Sequence, residues 1–512
     1  MLGLMQDWPL LCHRIIDHAA IQHGKRAVVS RSVEGPIHTT NYAEVRGRAM
    51  KLAQRLERDG VKPGDRVATL AWNTWRHLEA WYGIIGIGAI YHTVNPRLFP
   101  EQIAWIVNHA EDRVMMTDLT FVPLLEKLAD KLPTIERYIV LTDAAHMPQT
   151  TLKNAVPYED YIAESDGDFA WKSFDENTAC GMCYTSGTTG RRKGVWSGVL
   201  ADDDARALAA EEIDLWGFDR HDRHLVLSPL HHSAPLRFAI HTLLAGGEVL
   251  LPGAFDVARA AAVITELRPT TTFCVPTHLQ RLLAHDDVDW SSFRRLVHAG
   301  APCPEPLKRA VLQALPEGSV WEFYGSTEAQ FTVCSPEDWL AHPGSVGRAR
   351  PGRRLETDER DQLWCAVPRW ARFEYWRAPE KTAAAWRGDR VTVGDLGRVD
   401  DDGVVWLDGR REDLVISGGV NVYPAEVETV LDAHPGVVES AVFGVPDAEW
   451  GQRVVAAYVG EAEAGELAGW ARERPAAAKR PKALHPVAEL PRTSTGKVRR
   501  LDLPGVLGLD GT

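Results

Sequence analysis

Residues 184–195 read Tyr184-Thr-Ser-Gly-Thr-Thr-Gly-Arg-Arg-Lys-Gly-Val195, and the rest of the chain takes its meaning from this stretch. Glycines allow successive backbone N–H groups to turn toward one anion. The hydroxyls of Thr185, Ser186, Thr188 and Thr189, with Lys193, add donors for its oxygens. A G-x-x-x-x-G-K-[ST] pattern cannot be aligned on it, so it is not a Walker A loop. Composition alone would also suit a Ser/Thr/Gly surface loop, but the ordered alternation of hydroxyls, glycines and lysine is too specific for that.

An anion site of this kind must work against the charge of the whole chain. The 512 residues hold 57 Lys and Arg against 70 Asp and Glu, a net charge of −13. Such a balance argues against nonspecific binding of nucleic acid, so an anionic ligand must be captured by local chemistry. The 45% hydrophobic content is that of a globular chain, and the length predicts more than one domain. Seven cysteines, an odd number, show no disulfide framework. Cys180 and Cys183 form a C-x-x-C with no second pair nearby and read as ordinary strand cysteines. The N-terminal MLGLMQDWPLLCHRIIDH has no basic segment followed by a long apolar run, so no signal peptide is expected. The longest apolar run, Trp81 to Tyr91, holds three glycines and falls short of the about 20 residues a membrane span needs. These features predict a cytoplasmic protein.

On either side of the loop, helical and strand patterns alternate. Asn41 to Asp59 has apolar residues at three- and four-residue spacing, which predicts a helix closed by Gly60 and Pro63. Arg66 to Trp72 reads as a buried strand and Thr74 to Ile85 as the helix after it. Short apolar runs recur at Arg113–Thr117, Tyr138–Thr142, Leu225–Ser228, Glu248–Leu251, Thr271–Val275 and Arg295–Ala299. The alternation predicts an α/β body of layered, largely parallel sheets. From Arg354 to Asp408 denser strand patterns predict a β-rich subdomain, with turns at Asp401-Asp402-Gly403 and Asp408-Gly409. Beyond Arg410 a βαβ-like tail of about one hundred residues is expected, with a helix starting near Pro424. The boundary falls between Gly409 and Asp413, giving domains 1–409 and 410–512.

Six further strings follow the loop in order: Pro229-Leu-His-His-Ser-Ala-Pro235, His298-Ala-Gly-Ala-Pro302, Trp321-Glu-Phe-Tyr-Gly-Ser-Thr-Glu328, Val393-Gly-Asp395, Gly409-Arg-Arg-Glu-Asp413 running on into Ile416-Ser-Gly-Gly-Val-Asn-Val-Tyr-Pro424, and Pro491-Arg-Thr-Ser-Thr-Gly-Lys497. Together with the loop they resemble, over nearly the whole chain, the adenylate-forming superfamily of acyl-CoA synthetases, carrier-protein adenylation domains and luciferases. The resemblance implies a large N-terminal α/β domain and a small mobile α+β C-terminal domain. It also implies a two-step reaction. An acid oxygen attacks the α-phosphorus of ATP, releasing pyrophosphate, and a nucleophile then takes the acyl group from the adenylate.

The resemblance assigns roles residue by residue. Thr185, Ser186, Gly187, Thr188, Thr189, Gly190 and Lys193 would hold the β- and γ-phosphates. Glu328 would hold Mg²⁺, a cation that takes hard oxygen ligands, and Thr327 would touch the α-phosphate. Tyr324, followed by Gly325, would stack on adenine, with Gly300, Ala301 and Pro302 alongside. Asp395 would accept the ribose hydroxyls with Arg410 nearby. Lys497 would bridge acid and α-phosphate. Asp413 would be the hinge about which the C-terminal domain rotates, presenting Gly418 and Gly419 to the incoming nucleophile. His232 is expected either to gate the acid pocket or to pack as a satisfied polar residue. Trp321, Phe323, Ala299 and Gly300 are expected to line that pocket.

Some positions depart from the family pattern. Gly194-Val-Trp-Ser-Gly-Val-Leu200 lacks a histidine found in many relatives, Val393 replaces a threonine, and Ala477-Ala478 stand where a tyrosine is common. None removes a group needed for adenylation, but the altered loops leave the second nucleophile open. The foremost expectation is ligation of a fatty or aryl carboxylic acid to CoA, with ATP, Mg²⁺ and CoA as partners. The alternatives are activation of nitrite to diazotise an aromatic amine in secondary metabolism, acid activation for a carrier protein, and a non-catalytic nucleotide-binding relative.

Overall fold

The computed structural model describes residues 11–175, 178–184, 194–198, 211–285, 287–410, 413–417, 420–447, 450–472, 479–492 and 498–509. The described chain divides into two compact units. One holds its residues up to 352 together with 367–384, and the other holds 353–366 and the residues from 385 onward.

The first unit is built on two sheets. One has seven strands in the order Val320–Glu322, Arg295–His298, Thr271–Cys274, Arg223–Leu225, Glu248–Leu251, Ala27–Arg31, Ile37–Asn41, and is parallel except for the final hairpin pair. The other has eight, ordered Glu374–Tyr375, Gly194–Gly198, Ala179–Tyr184, Ile90–Thr93, Arg66–Leu70, Val114–Thr117, Arg137–Val140, Val156–Pro157. It is parallel from Ala179–Tyr184 onward and antiparallel at the end formed by its first three strands. Helix Tyr42–Arg58 forms where the apolar spacing predicts it. Asn41 caps its start by accepting from Glu44 N, and Tyr42, Val45, Ala49, Leu52, Ala53 and Leu56 make its buried face. Helix Trp75–Ile85, capped by Thr74, is buried all round. Gly83 lets these two helices approach, because a Cβ there would lie 2.7 Å from Leu52 Cδ2 and 3.0 Å from Ala49 O.

Two local expectations are corrected. The strand expected at Leu225–Ser228 is Arg223–Leu225. Past Leu225 the side chain of buried Asn73 takes over: Nδ2 donates to Val226 O and Ser228 O, both at 3.0 Å, and Oδ1 accepts from Leu230 N at 2.7 Å. The turn expected at Asp408-Gly409 lies instead within strand Val405–Arg410. Leu396 faces Gly409 and Gly397 faces Leu407, so Asp408 is the extra residue of a bulge.

The second unit holds an antiparallel sheet ordered Arg354–Thr357, Leu363–Ala366, Arg390–Val391, Trp386–Arg387, then the hairpin Asp395–Val399 with Val405–Arg410. Its last sheet is ordered Val420–Val422, Val415–Ser417, Gly451–Gly460, Val437–Asp447. Ala483–Pro486 adds to Gly451–Gly460 in parallel, reached through helix Ala464–Arg472, which is the one βαβ crossover of the tail's described residues. Helix Pro424–Asp432 starts where expected and buries Val427 and Leu431 against Val442, Val454 and Tyr458. The architecture is α/β followed by α+β. Among the described residues no helix is long and apolar enough to cross a membrane.

Candidate active site

Strand Ala179–Tyr184 leads into the hydroxyl- and glycine-rich segment and strand Gly194–Gly198 leads out of it. The two pair antiparallel, with Tyr184 opposite Gly194 and Cys183 opposite Val195. Ala179–Tyr184 also lies parallel to Ile90–Thr93, so it ends at the carboxyl edge of the parallel strands, where loops of such sheets gather their ligands. The strand is braced by aromatic and ionic contacts. The Tyr184 hydroxyl lies 2.7 Å from His109 Nδ1, and Trp105 stacks on His109 at 4.6 Å. Next to Tyr184, His92 Nδ1 lies 2.7 Å from Asp112 Oδ2, both side chains fully buried; burial pushes the Asp112 carboxyl upward and His92 opposes it. Thr185, Ser186, Gly187, Thr188, Thr189, Gly190 and Lys193 lie outside the described residues.

The segment Pro229–Pro235 is drawn against these strands. The Thr93 hydroxyl donates to His231 O at 2.9 Å, and the Cys183 thiol points at the same carbonyl at 3.6 Å. His231 is buried. Burial, then the neighbouring His232, holds its imidazole far below the usual histidine range, so it is neutral. His232 is partly exposed at the N-cap of helix Ser233–Ala245, its ring 4.4 Å from that of His231.

From Tyr324 the chain doubles back on itself. Gly325 bridges Gln330, Ser326 N donates to Ala329 O at 2.7 Å, and Tyr324 O accepts from Phe331 N and Thr332 N. Thr332 Oγ1 closes the turn by accepting from Tyr324 N at 3.0 Å. Only glycine fits at 325, since a Cβ would lie 2.7 Å from Ala329 O and 2.8 Å from Gln330 Cα. The turn carries Thr327 and Glu328 at its tip, both partly exposed. Glu328 lies close enough to Cys183 that its charge adds to burial in pushing that thiol up to about 11.

Gly300, with a left-handed φ of 88°, Ala301 and Pro302 follow strand Arg295–His298. Buried Lys308 ties this strand to Val320–Glu322: its Nζ lies 2.5 Å from His298 Nε2 and 3.1 Å from Glu322 Oε2. The segments bearing Gly300–Pro302 and Tyr324–Glu328 therefore leave one buried polar knot. Ala299 and Phe323, expected in the acid pocket, belong to an aromatic cluster with Trp216, Phe238 and Phe273. Trp321 packs at its margin, with the Arg295 guanidinium 4.3 Å from its ring.

Asp395, Arg410 and Asp413 belong to the second unit. Asp395 is buried and stands opposite Arg410 in the strand register. Asp413 Oδ2 lies 3.5 Å from Arg500, whose guanidinium also grips both oxygens of Glu428. The side chain of Arg410, and Gly418, Gly419 and Lys497, lie outside the described residues. Arg492 and Val498, on either side of the Lys497 segment, form a β-bridge.

One residue escapes the sequence reading. The Tyr375 hydroxyl donates to Glu328 Oε1 at 2.9 Å. Tyr375 sits in a two-residue strand far along the chain from Glu328, and a run that short carries no periodic signal.

Comparison with known proteins agrees with this geometry. The profile of the AMP-binding enzyme family matches residues 16–362, and that of the AMP-binding enzyme C-terminal domain matches residues 426–497. The medium-chain-fatty-acid–CoA ligase of Ectopseudomonas oleovorans is 32% identical over 97% of this chain and 96% of its own. Among solved structures, the anthranilate CoA ligase AuaEII in complex with anthranoyl-AMP superimposes with a TM-score of 0.85 at 25% identity, covering 98% of each chain. The o-succinylbenzoate coenzyme A synthetase of Bacillus subtilis, solved with ATP and a magnesium ion, does so with a TM-score of 0.81 at 25% identity, covering 96% of this chain and 98% of that one. With both profiles matched in order and the fold shared along nearly its whole length, the chain belongs to the AMP-binding enzyme family of the adenylate-forming superfamily.

Proposed function

We propose that the protein is an ATP-dependent acid–CoA ligase, converting a carboxylic acid, ATP and CoA into acyl-CoA, AMP and pyrophosphate. The observation that carries this reading is the Tyr324–Gln330 turn, which holds Thr327 and Glu328 beside the strands flanking the hydroxyl–glycine segment. Attack of a carboxylate oxygen on the α-phosphorus builds charge on phosphoryl oxygens, and fixed donors aimed there supply catalysis. We assign Thr185, Ser186, Gly187, Thr188, Thr189, Gly190 and Lys193 to the β- and γ-phosphates, Thr327 to the α-phosphate, and Tyr324, Gly325 and Gly300–Pro302 to adenine. Asp395 and Arg410 take the ribose, and Lys497 donates to the acid and the α-phosphate.

Glu328 fits a magnesium ion. It is a partly exposed carboxylate, the kind of hard oxygen donor Mg²⁺ takes, with Oε1 accepting from the Tyr375 hydroxyl. Bound there, Mg²⁺ would neutralise phosphate charge. In the second step the CoA sulfur attacks the acyl carbonyl carbon and AMP leaves. We assign the domains as 1–409 and 410–512, with Asp413 as the hinge between the two steps and Gly418 and Gly419 facing CoA. His232, beside neutral His231, stands at the junction of acid and thiol. The CoA reading draws on relatives that carry both a fatty-acid and an aryl-acid name.

The deciding assay measures AMP and pyrophosphate release with fatty and aryl acids, with and without CoA. Parallel arms supply nitrite with aminobenzoates, and an acyl-carrier protein in place of CoA. CoA-dependent AMP release on a carboxylic acid is expected. Nitrite-dependent AMP release without CoA, transfer to the carrier protein alone, or nucleotide binding without turnover would each replace the reading.

A further inference from the structure

We propose that Tyr375 is a positioning residue, a buried strut that fixes the Glu328 carboxylate relative to the strand leaving the hydroxyl–glycine segment. The inference rests on the assignment of Glu328 to Mg²⁺ and adds the device that orients it.

Tyr375 is held at three points. Its backbone lies opposite Val195, the second residue of strand Gly194–Gly198, so it is in register with the chain as it leaves the phosphate-binding segment. Its N–H donates to Thr382 Oγ1 at 2.9 Å, and Thr382 returns to Ala378 O through both its hydroxyl, at 3.1 Å, and its amide, at 3.0 Å. Its ring is 4% exposed and meets the edge of Phe373 at 5.3 Å. A tyrosine has only two side-chain torsions, so once backbone and ring are set its hydroxyl has little freedom left. That hydroxyl donates to Glu328 Oε1 at 2.9 Å.

A hydrogen bond to a carboxylate is stronger than one between neutral groups and constrains the plane of the carboxylate. With Oε1 accepting from Tyr375, the Glu328 carboxylate is held in one plane, which fixes the direction in which it can offer an oxygen to a cation. The Tyr324–Gln330 turn sets where the Glu328 backbone lies, while Tyr375 sets where its oxygens lie. Because Tyr375 is paired to Val195, the metal-facing oxygen and the exit of the phosphate-binding segment share one rigid reference. The two-residue strand Glu374–Tyr375 is too short to gain much from its own ladder, and this placement accounts for its position at the edge of the eight-stranded sheet.

The test titrates Mn²⁺ into the protein saturated with α,β-methylene-ATP, followed by electron paramagnetic resonance. Tyr375→Phe removes one oxygen and keeps the ring. It is expected to raise the half-saturating Mn²⁺ concentration about 10-fold, the order expected from losing a hydrogen bond to a charged group. Metal-free nucleotide affinity should stay within about twofold, which a merely structural role would not predict. Glu328→Gln is measured alongside and should weaken Mn²⁺ at least as much. If Glu328→Gln weakens Mn²⁺ and Tyr375→Phe does not, the strut is overturned while the assignment of Glu328 stands. If Glu328→Gln has no effect, the assignment falls and the strut with it. Should Tyr375→Phe lower the melting temperature, Thr382→Val, which loosens the Tyr375 backbone and keeps the phenol, must weaken Mn²⁺ in the same direction. Unchanged Mn²⁺ affinity in that variant would then overturn the proposal.

Discussion

Lys308→Met tests whether the buried polar knot between the strands leading to Gly300–Pro302 and to Tyr324–Glu328 is held by charge. The substitution keeps an unbranched stem of similar volume and removes the ammonium. Lys308 is fully buried, and its Nζ reaches Glu322 Oε2 at 3.1 Å and His298 Nε2 at 2.5 Å; Glu322 is itself only 6% exposed. Burial raises the Glu322 carboxyl and Lys308 opposes that rise. Burial, with the repulsion by Lys308 added to it, holds the His298 imidazole far below the usual histidine range. Removing one partner of such a pair costs about 3–5 kcal/mol. The loss carries a pH signature. In the variant the native carboxyl keeps its proton above the ordinary value of 4.5, so the native state binds more protons than the unfolded one and stability falls as pH rises. The penalty should be smallest near the ordinary carboxyl value and grow as the pH rises to about 8, to a drop of roughly 5 °C in melting temperature for a body of this size. Calorimetry at both pH values reads it, and Lys308→Met combined with Glu322→Gln should recover at least half of the loss and remove its pH dependence. A double variant as unstable as the single one at pH 8, or a single-variant loss equal at both pH values, would refute the electrostatic account.

Three further outcomes are expected. Asn73→Ala strands Val226 O, Ser228 O and Leu230 N, costing about 2–4 kcal/mol, and should speed amide exchange at Leu230; a melting temperature and exchange rate equal to wild type would contradict the hub role of Asn73. Lys497→Ala should abolish acid-dependent pyrophosphate exchange while leaving thioester formation from a pre-made acyl-AMP within several-fold of wild type, and normal pyrophosphate release would remove Lys497 from the first step. His77 is buried among Trp72 O, Thr69 Oγ1 and the Tyr91 hydroxyl, and burial lowers it to about 4. The unfolded chain therefore takes up the proton first, and stability is lost as pH falls from about 6.5 toward 4, by about 3 kcal/mol from this residue. His77→Gln should flatten that acid limb, and superimposable pH–stability curves would show that His77 does not titrate as described.

Much of the molecule is written in contiguous runs. The three- and four-residue apolar spacing of Asn41–Asp59 appears as helix Tyr42–Arg58, and Thr271–Val275 and Arg295–Ala299 appear as strands each one residue shorter. Those features depend on neighbours within a few positions, as do the ordered strings from Tyr184 to Lys497 that pointed to the family. Other features could not be read in this way. Leu225–Ser228 has the composition of a strand, yet the Val226 and Ser228 carbonyls are taken by Asn73, more than 150 positions earlier. Asp408-Gly409 has the composition of a turn, yet pairing with Asp395–Val399 absorbs it as a bulge.

Sequence alone determined the α/β alternation and, through its ordered strings, the family, because each is encoded by residues adjacent in the chain. Tertiary structure alone decided that Tyr375 meets Glu328, that Lys308 joins His298 to Glu322, and that Thr93 and Cys183 receive the carbonyl of His231. A hydroxyl, an ammonium or a carbonyl has no preferred partner until burial removes water as the alternative, and which group then lies within 3 Å is set by how distant strands pack.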